Sequence, residues 1–284
     1  MNFGGGIIVY GDLNYPQTTP SLNHGIVILE NGSIIENATC GIKLGVRLYL
    51  LEPIGMRLTN NYYGGIVFAE GVQFINNKEA VHFNPYVYND NGIELNNISF
   101  FKDCDFILNS NAFFQTTNDD RQVYLCGVRG VGFKGCEFID QQPLHHGVAI
   151  YSNDAGLNIN LPESGNYFDQ QCIISGFRYG IKLINNSSKP INILYAYLSD
   201  NISNIWVDNC RNFRFETSSI NGGQYTLHGI YLEESTLFLI ENNIIQNTNH
   251  GIDFITRSQI NGNNYTKNNT FDNTCRSVFV QGLF

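Results

Sequence analysis

GIVILENGSIIENATCGIKL (residues 25–44) and GIVFAEGVQFINNKEAVHF (residues 65–83) are two copies of one pattern, which align after a single deletion. Each copy contains three short segments rich in β-branched and aromatic residues, a composition typical of strands, separated by turns of Asn and Gly. Neither copy has the 3.6-residue apolar period of a helix. A strand–turn unit repeated in this way predicts one coil of a β-solenoid for each copy.

The middle segment of the pattern recurs along the chain around one large apolar residue. These central residues are Ile35, Phe74, Phe106, Phe138, Ile174, Leu198, Ile220, Ile245 and Phe271. Two positions later the chain has, in the same order, Asn37, Asn76, Leu108, Asp140, Gly176, Asp200, Gly222, Asn247 and Asn273. All of these except Leu108 are residue types that tolerate a left-handed backbone, so we expect a sharp corner there.

A third segment, usually Gly-Φ-x-Φ with Φ apolar, follows each corner. Gly180-Ile181-Lys182-Leu183 is an example, and its alternation predicts a strand with two inward side chains and one outward. The sequence therefore predicts an all-β, three-sided solenoid of about nine coils that forms a single domain over residues 1–284. Extra residues at roughly 45–64, 84–97, 115–126 and 151–168 are predicted to emerge along one edge of it.

Composition excludes several classes of function. Lys and Arg total 16 against 25 Asp and Glu, and the net charge of −9 argues against nucleic acid, which needs a basic surface. No apolar run approaches the ~18 residues of a membrane span. The seven Cys include no C-x-x-C pair, so we expect free thiols rather than disulfides or a metal site. Three of them are predicted to stack inside successive coils: Cys104, Cys136 and Cys172.

The repeats resemble those of the right-handed parallel β-helix proteins of the pectin-lyase-like superfamily, and in particular a group of secreted β-helix repeat proteins from Bacteroidota. The resembling stretches are GIIVYGDLNYPQTT (6–19), GIVILENGSIIENATCGIKLG (25–45), GGIVFAEGVQFINNKEAVHFNPY (64–86) and FKGCEFID (133–140). The resemblance implies a right-handed parallel β-helix, an extracellular or cell-surface location and a longer parent protein. The group generally has no assigned activity, so the resemblance implies little chemistry. Residues 1–6 have no basic segment typical of a signal peptide, so the location rests on the resemblance.

The outward residues of the third segment predict a candidate binding surface. In coil order they are Lys43, His82, Phe114, Ala149, Lys182, Trp206, Tyr231, Asp253 and Phe279. Neighbouring coils would place four of them in a line at ~4.8 Å steps, namely Lys182, Trp206, Tyr231 and Asp253. Aromatic rings beside polar groups suit glycan binding, whereas the plainer interpretation is an aromatic ladder worth ~0.2–1 kcal/mol per pair. Our hypothesis is a non-catalytic extracellular module, structural or adhesin-like, that contacts a polysaccharide or cell-surface glycan; its oligomeric state stays open.

A carbohydrate-active enzyme is the alternative hypothesis. Polygalacturonase-like hydrolases use this fold, and segments in the order of their motifs occur here as Asn118-Asp119-Asp120, His145-His146-Gly147 and Arg178-Tyr179-Gly180-Ile181-Lys182. The candidate catalytic residues of this alternative are Asp119, Asp120, His146, Arg178 and Lys182. One Asp motif is missing and HHG replaces GHG, so the two opposed carboxyl groups that an inverting hydrolase needs are not established. A polysaccharide lyase would need clustered acids, and the acids here are scattered: Asp103, Asp105, Asp119, Asp120 and Asp154.

The histidines that precede a Gly form a further pattern. His146, His228 and His250 begin the third segment of their coils. Other coils have Cys40, Glu79, Tyr179 or Arg276 at the aligned position, and such variety is typical of a turn residue rather than a catalytic one. The sequence therefore predicts no cofactor and no metal site.

Overall fold

The computed structural model describes residues 5–19, 21–52, 55–114, 117–160, 170–257 and 263–282. Its strands form three long parallel sheets of 10, 9 and 9 strands, and neighbouring strands of one sheet come from successive turns of the chain. Each circuit through the three sheets is one coil. The all-β, three-sided parallel β-helix of about nine coils that the repeats predict is confirmed. In the described part of the chain, no helix has the length and apolarity needed to cross a membrane.

The three sheets are named here by the order in which the chain enters them. The first sheet contains Ile7–Val9, Ile42–Leu44, Val81–Phe83, Arg121–Cys126, Val148–Asn153, Tyr179–Ile184, Ser203–Asp208, His228–Glu233, His250–Ile255 and Arg276–Gln281. The second sheet contains Ile26–Leu29, Ile66–Glu70, Phe100–Lys102, Val131–Lys134, Leu157–Ile159, Ile191–Leu194, Phe213–Glu216, Leu239–Glu241 and Tyr265–Lys267. The third sheet contains Ile34–Glu36, Gln73–Ile75, Asp105–Leu108, Glu137–Asp140, Cys172–Ser175, Ala196–Ser199, Ser219–Asn221, Ile244–Gln246 and Thr270–Asp272.

The nine central residues of the repeat all lie opposite one another in the third sheet, from Ile35 to Phe271. Six of the predicted corner residues have a left-handed backbone, with φ between 46° and 88°, namely Asn37, Asn76, Gly176, Asp200, Asn247 and Asn273. Gly176 is required, because a Cβ there would collide with the carbonyl oxygen of Asp140. The prediction is wrong for Asp140 and Gly222, whose φ is not positive. Asp140 instead extends its strand by one residue, as Leu108 does in the coil before.

Stacked apolar side chains fill the interior of the solenoid. The ring of Phe106 lies between those of Phe74 and Phe138, with centroids 4.7 Å and 4.4 Å apart and planes inclined by 3° in both pairs. The predicted thiol stack is present as well: Cys104, Cys136 and Cys172 are fully buried and free. Because each coil buries its apolar face only against its neighbours, the stability of the molecule comes from these coil-to-coil stacks.

Buried Asn side chains hold neighbouring coils together and explain part of the Asn-rich composition. Asn201 accepts a hydrogen bond from the backbone N–H of Phe177 (2.9 Å) and donates one to the carbonyl of Ile174 (3.0 Å), both in the preceding coil. Asn77 and Asn243 bridge coils in the same way. A buried amide that satisfies both a donor and an acceptor of the preceding coil takes the place of a ladder hydrogen bond at the turn.

The insertions leave the solenoid at more than one corner. Two follow strands of the first sheet, and they contain the antiparallel pairs Val46–Glu52 with Gly55–Tyr62 and Asn89–Asp90 with Ile93–Glu94. Two others precede strands of the first sheet, and their described residues are 109–114 with 117–120, and 141–147. The predicted insertions 115–126 and 151–168 are therefore wrong in part, because residues 121–126, 151–153 and 157–159 are strand residues of the coils. Residues 161–169 lie outside the described residues.

Candidate functional site

The outer face of the first sheet carries a continuous row of side chains, one from each coil, which we call the outer row. In register they are Ile8, Lys43, His82, Tyr124, Tyr151, Lys182, Trp206, Tyr231, Asp253 and Phe279. Phe114 and Ala149 were predicted at the positions of Tyr124 and Tyr151, and that prediction is wrong. Ala149 is fully buried, and Phe114 lies in the loop before the strand that contains Tyr124.

The four predicted glycan-binding residues are neighbours in the outer row. Lys182 lies opposite Trp206, Trp206 opposite Tyr231, and Tyr231 opposite Asp253. They face outward because the residues on either side along each strand, such as Ile181 and Leu183, are buried in the core. Three of the four are partly exposed, whereas Asp253 is 3% exposed.

The rings of the outer row stack along the axis of the solenoid. The Trp206 and Tyr231 ring centroids are 3.9 Å apart with planes inclined by 22°, so each ring has one face covered by the other. The edge of Tyr179 lies against Trp206, at 5.6 Å and 77°. Lys182 Nζ lies 4.8 Å from the Tyr179 centroid and 5.7 Å from that of Tyr151. The row therefore offers ring edges, an ammonium group and hydroxyls to a ligand, rather than a broad ring face.

Two carboxylates that the sequence analysis did not single out flank these rings. Asp208 and Glu233 lie opposite each other in adjacent coils, two residues after Trp206 and Tyr231. Tyr231 donates its hydroxyl to Glu233 Oε2 (3.3 Å), and Arg257 Nη2 lies 3.1 Å from Glu233 Oε1. Burial, and then the charge of Glu233, raises the pKa of Asp208. The sequence does contain a pattern that could have predicted this pair, because in two successive coils an acidic residue follows the residue of the outer row by two positions.

Asp253 turns toward two histidines instead of toward solvent. His228 and His250 lie opposite each other in adjacent strands, and His250 precedes Asp253 by three residues. Asp253 Oδ2 lies 2.6 Å from His250 Nδ1 and 3.4 Å from His228 Nε2. Ser203 Oγ, one coil earlier, lies 3.1 Å from His228 Nδ1. Burial lowers the pKa of His228, although the charge of Asp253 acts in the opposite direction.

The donor atoms of this His–His–Asp cluster are close enough to share one cation. One ligand atom from each of His228, His250 and Asp253 lies within 4.8 Å of the others. Asp253 Oδ1 is buried without a hydrogen-bond partner among the described residues. Imidazole and carboxylate are ligands that zinc and copper accept. The residue before Gly varies so much over all the coils that no metal site was predicted there, whereas this cluster needs histidines in only two adjacent coils.

A second charged cluster lies in the same sheet at the opposite end. Glu79 Oε2 lies 2.8 Å from His82 Nδ1, and Glu79 Oε1 lies 2.9 Å from Arg121 Nε. Burial acts to raise the pKa of Glu79, but the hydrogen bonds and charges of His82 and Arg121 outweigh it and hold that pKa below its ordinary value. Arg121 also lies over the Tyr124 ring, 3.8 Å from its centroid. These contacts pair the groups with one another, and they link the strand Arg121–Cys126 to the turn before Val81–Phe83.

The candidate catalytic residues of the alternative hypothesis lie near one another without forming a reactive pair. Three of them lie at the same corner of successive coils, namely Asp120, His146 and Arg178. Backbone hydrogen bonds connect these coils, from the N–H of Val148 to the carbonyl of Asp120 and from the N–H of Arg178 to the carbonyl of His146. The Asp120 carboxylate is 8% exposed; it accepts a hydrogen bond from the backbone N–H of Thr117 (2.7 Å) and lies 3.7 Å from Lys78 Nζ. His146 contacts Asn118, and Asp119 is exposed. The Asp120 carboxylate is therefore held by the backbone of its own loop and by the ammonium group of Lys78.

The fold and the outer row together define the class of the molecule: it is a parallel β-helix protein in which the outer face of one sheet carries polar and aromatic side chains. Residues 114–282, more than half of the chain, match the family described as "Periplasmic copper-binding protein (NosD)". The chain belongs to this family. A comparison with curated proteins gives no match.

A comparison with solved structures finds the Streptococcus pneumoniae surface protein and adhesin PfbA, with 12% sequence identity and a TM-score of 0.26. The match covers 92% of this chain and 65% of the PfbA chain. The chain thus spans less than two thirds of that protein, and a likeness of this size carries no functional argument.

Proposed function

We propose that this chain is a non-catalytic β-helix module outside the cytoplasm, adhesin-like or structural, which binds a glycan along the outer face of its first sheet. The carrying observation is the outer row from Tyr151 to Tyr231, where aromatic and charged side chains succeed each other in register over four coils. An elongated ligand lying along the axis would meet a new side chain at each ~4.8 Å step. The family's description as periplasmic supports the location.

The charges of the row favour a neutral glycan over an acidic one. Asp208 and Glu233 accept hydrogen bonds, and sugar hydroxyls donate them. A polyuronate would meet these two carboxylates and a chain with a net charge of −9, so its binding would cost repulsion. Lys182 and the edges of Trp206 and Tyr231 supply the remaining polar and apolar contacts.

Affinity electrophoresis in gels containing a neutral polysaccharide (xylan or a mixed-linkage β-glucan) or polygalacturonate tests this proposal. We expect retardation by a neutral glycan and none by polygalacturonate. Trp206→Ala and Tyr231→Ala should each weaken binding at least fivefold. Tyr265→Ala removes a Tyr that is 53% exposed on the second sheet, and it should bind like the parent protein. If no neutral glycan retards the protein, or if folded Trp206→Ala is retarded as strongly as the parent, the proposal fails.

A carbohydrate-active enzyme is the second candidate, and the observation that favours it is the pair Asp208 and Glu233. The two residues lie opposite each other on adjacent strands, whose backbones are about 4.8 Å apart, so side-chain rotation can bring the carboxyl groups to the separation of about 5–5.5 Å used by retaining glycosidases. The raised pKa of Asp208 suits a proton donor. Reducing-sugar release over the same glycan panel, lost in Asp208→Asn and in Glu233→Gln, would replace the non-catalytic proposal with this one.

The organisation of the chain is part of the same proposal. We propose that residues 1–284 form a single domain within a longer secreted protein. The resemblance to the β-helix repeat proteins of Bacteroidota and to the pectin-lyase-like superfamily supports this. The continuity of the three sheets from the first to the last described coil is consistent with one folding unit.

A further inference from the structure

The His–His–Asp cluster at the end of the outer row has the composition and geometry of a metal site. We propose that His228, His250 and Asp253 bind one divalent transition-metal ion of the zinc or copper type. This site is separate from the glycan proposal, because it uses two imidazoles beside the row and the one row member whose side chain turns away from solvent. Either proposal can fail without the other.

The distances between the donor atoms suit a small ion. With ligand distances of about 2.0–2.1 Å, the edges of a tetrahedron of ligand atoms measure about 3.3–3.4 Å. His228 Nε2 and Asp253 Oδ2 are already 3.4 Å apart. The 2.6 Å contact between His250 Nδ1 and Asp253 Oδ2 is a hydrogen bond, and it would lengthen by less than 1 Å when an ion replaced the shared proton.

Groups around the cluster orient its ligands. Ser203 Oγ lies 3.1 Å from His228 Nδ1, and when Nδ1 donates its hydrogen to this hydroxyl, Nε2, which faces Asp253, has the free lone pair that a metal ion needs. Partners of this kind fix the tautomer of metal-binding histidines. The His250 side chain is 35% exposed, so solvent reaches the cluster from that side. A three-ligand site with one position open to solvent is the result.

The carboxylate of Asp253 gives an independent reason for a cation. Asp253 is 3% exposed, and its Oδ1 has no hydrogen-bond partner among the described residues. A buried carboxylate with an unsatisfied oxygen is costly. A divalent ion bound between the two imidazoles would neutralise this group and take one of its oxygens as a ligand. Calcium and magnesium favour sites built from oxygen ligands alone, so two imidazoles select against them.

The experiment uses metal-stripped protein in a Cys275→Ser background, which removes an exposed thiol that would compete for the metal. ZnCl₂ and CuCl₂ are titrated by calorimetry, with CaCl₂ as the comparison. Copper binding has a second readout, because the ring of Trp206, the one tryptophan of the chain, lies 6.2 Å from that of His228. We expect one Zn²⁺ or Cu²⁺ per chain, no heat from CaCl₂, and quenching of Trp206 fluorescence by CuCl₂.

Four variants decide whether the bound ion occupies this cluster. His250→Gln and Asp253→Asn should weaken binding at least about 100-fold, and Ser203→Ala about tenfold, as supporting partners do elsewhere. His146→Gln changes a histidine of another coil, two residues before the strand Val148–Asn153, and it should leave the affinity unchanged. Zn²⁺ should raise the Tm of the parent protein and of His146→Gln but not that of His250→Gln.

Three results would overturn the proposal. They are no 1:1 binding of ZnCl₂ or CuCl₂ by the parent protein, equal affinity in the parent and in folded His250→Gln, and a loss in His146→Gln as large as that in His250→Gln. Copper EPR of the parent protein provides the matching spectroscopic signature, since two imidazole nitrogens should contribute hyperfine structure that His250→Gln reduces to one. Glycan retardation in the same variants is measured separately, so a failure of either proposal is recognised by its own readout.

Discussion

Asp140 is a buried acid in a position that the neighbouring coil fills with an apolar side chain. It lies opposite Leu108 in the third sheet and is 6% exposed. Its Oδ1 accepts a hydrogen bond from the backbone N–H of Gln142 (2.9 Å), while its Oδ2 is buried without a partner among the described residues. Burial raises the pKa of Asp140 from its ordinary value of 3.8 to about 7, although the hydrogen bond from Gln142 acts to lower it.

The sign and size of the stability effect follow from this pKa. In the unfolded chain the carboxyl ionises near pH 4, whereas in the folded protein it keeps its proton until about pH 7. Between these values the folded state binds more protons, so the free energy of unfolding falls as pH rises. Each pH unit of difference is worth about 1.4 kcal/mol, so ionised Asp140 costs the folded protein about 4 kcal/mol above pH 7.

Asp140→Asn removes this titration and keeps the shape of the side chain. We expect the stability of the variant, relative to the parent, to improve by a few kcal/mol between pH 4.5 and pH 7.5. Urea unfolding at several pH values measures the change, and the comparison of slopes cancels any constant effect of the amide. Asp119→Asn, at an exposed position, should follow the parent at every pH. If the stability difference for Asp140→Asn is the same at pH 4.5 and pH 7.5, the assignment of a raised pKa is refuted.

Two further predictions concern the core and the second charged cluster. Phe106→Ala should lower the free energy of unfolding, measured in urea, by about 3–5 kcal/mol. Phe113→Ala, at a site 62% exposed, should change it by less than about 0.5 kcal/mol. Similar losses in the two variants would contradict the stacked core. The Glu79 pKa is held below its ordinary value of 4.5, so its contribution is present above that pH and is lost as pH falls through the folded pKa. Glu79→Gln should therefore cost about 2 kcal/mol at pH 7 and much less at pH 3 by thermal unfolding, and an equal cost at both would contradict the pairing with Arg121.

The coil was predictable because its signals are local. A large apolar residue followed two positions later by Asn, Asp or Gly describes a strand that ends at a left-handed corner, and each coil repeats it. The register of all nine central residues, from Ile35 to Phe271, follows from that repeat. Asp140 shows its limit, because an Asp after Phe138 satisfies the corner pattern although its backbone stays extended and its side chain points inward. An Asp at this position is compatible both with a corner and with one more strand residue, so the pattern does not predict where the strand ends.

The outward-facing residues of the first sheet were predicted wrongly where loops interrupt the repeat. Phe113 and Phe114 are apolar residues at the spacing expected for the third segment, yet they lie in the loop that follows Leu108, and the strand begins only at Arg121. In the next coil Gly147 was taken as the start of the segment, whereas Ala149 occupies the position equivalent to Gly180. Insertions of different lengths before the strand change the spacing, and no local residue type marks where the strand resumes.

The candidate sites show why side chains must be compared between adjacent coils rather than across all of them. His228 and His250 are 22 residues apart, one uninterrupted coil, so the ladder places them side by side, and the i,i+3 spacing brings Asp253 under both. The same spacing pairs Glu79 with His82. A metal or ligand needs such agreement over only two coils, and variety at the same position elsewhere is no argument against it. After Ile174 the coils are regular, so aligning the sequences of successive coils predicts which side chains are neighbours. Before Ile174 the insertions interrupt the coils, and such an alignment does not predict the neighbours.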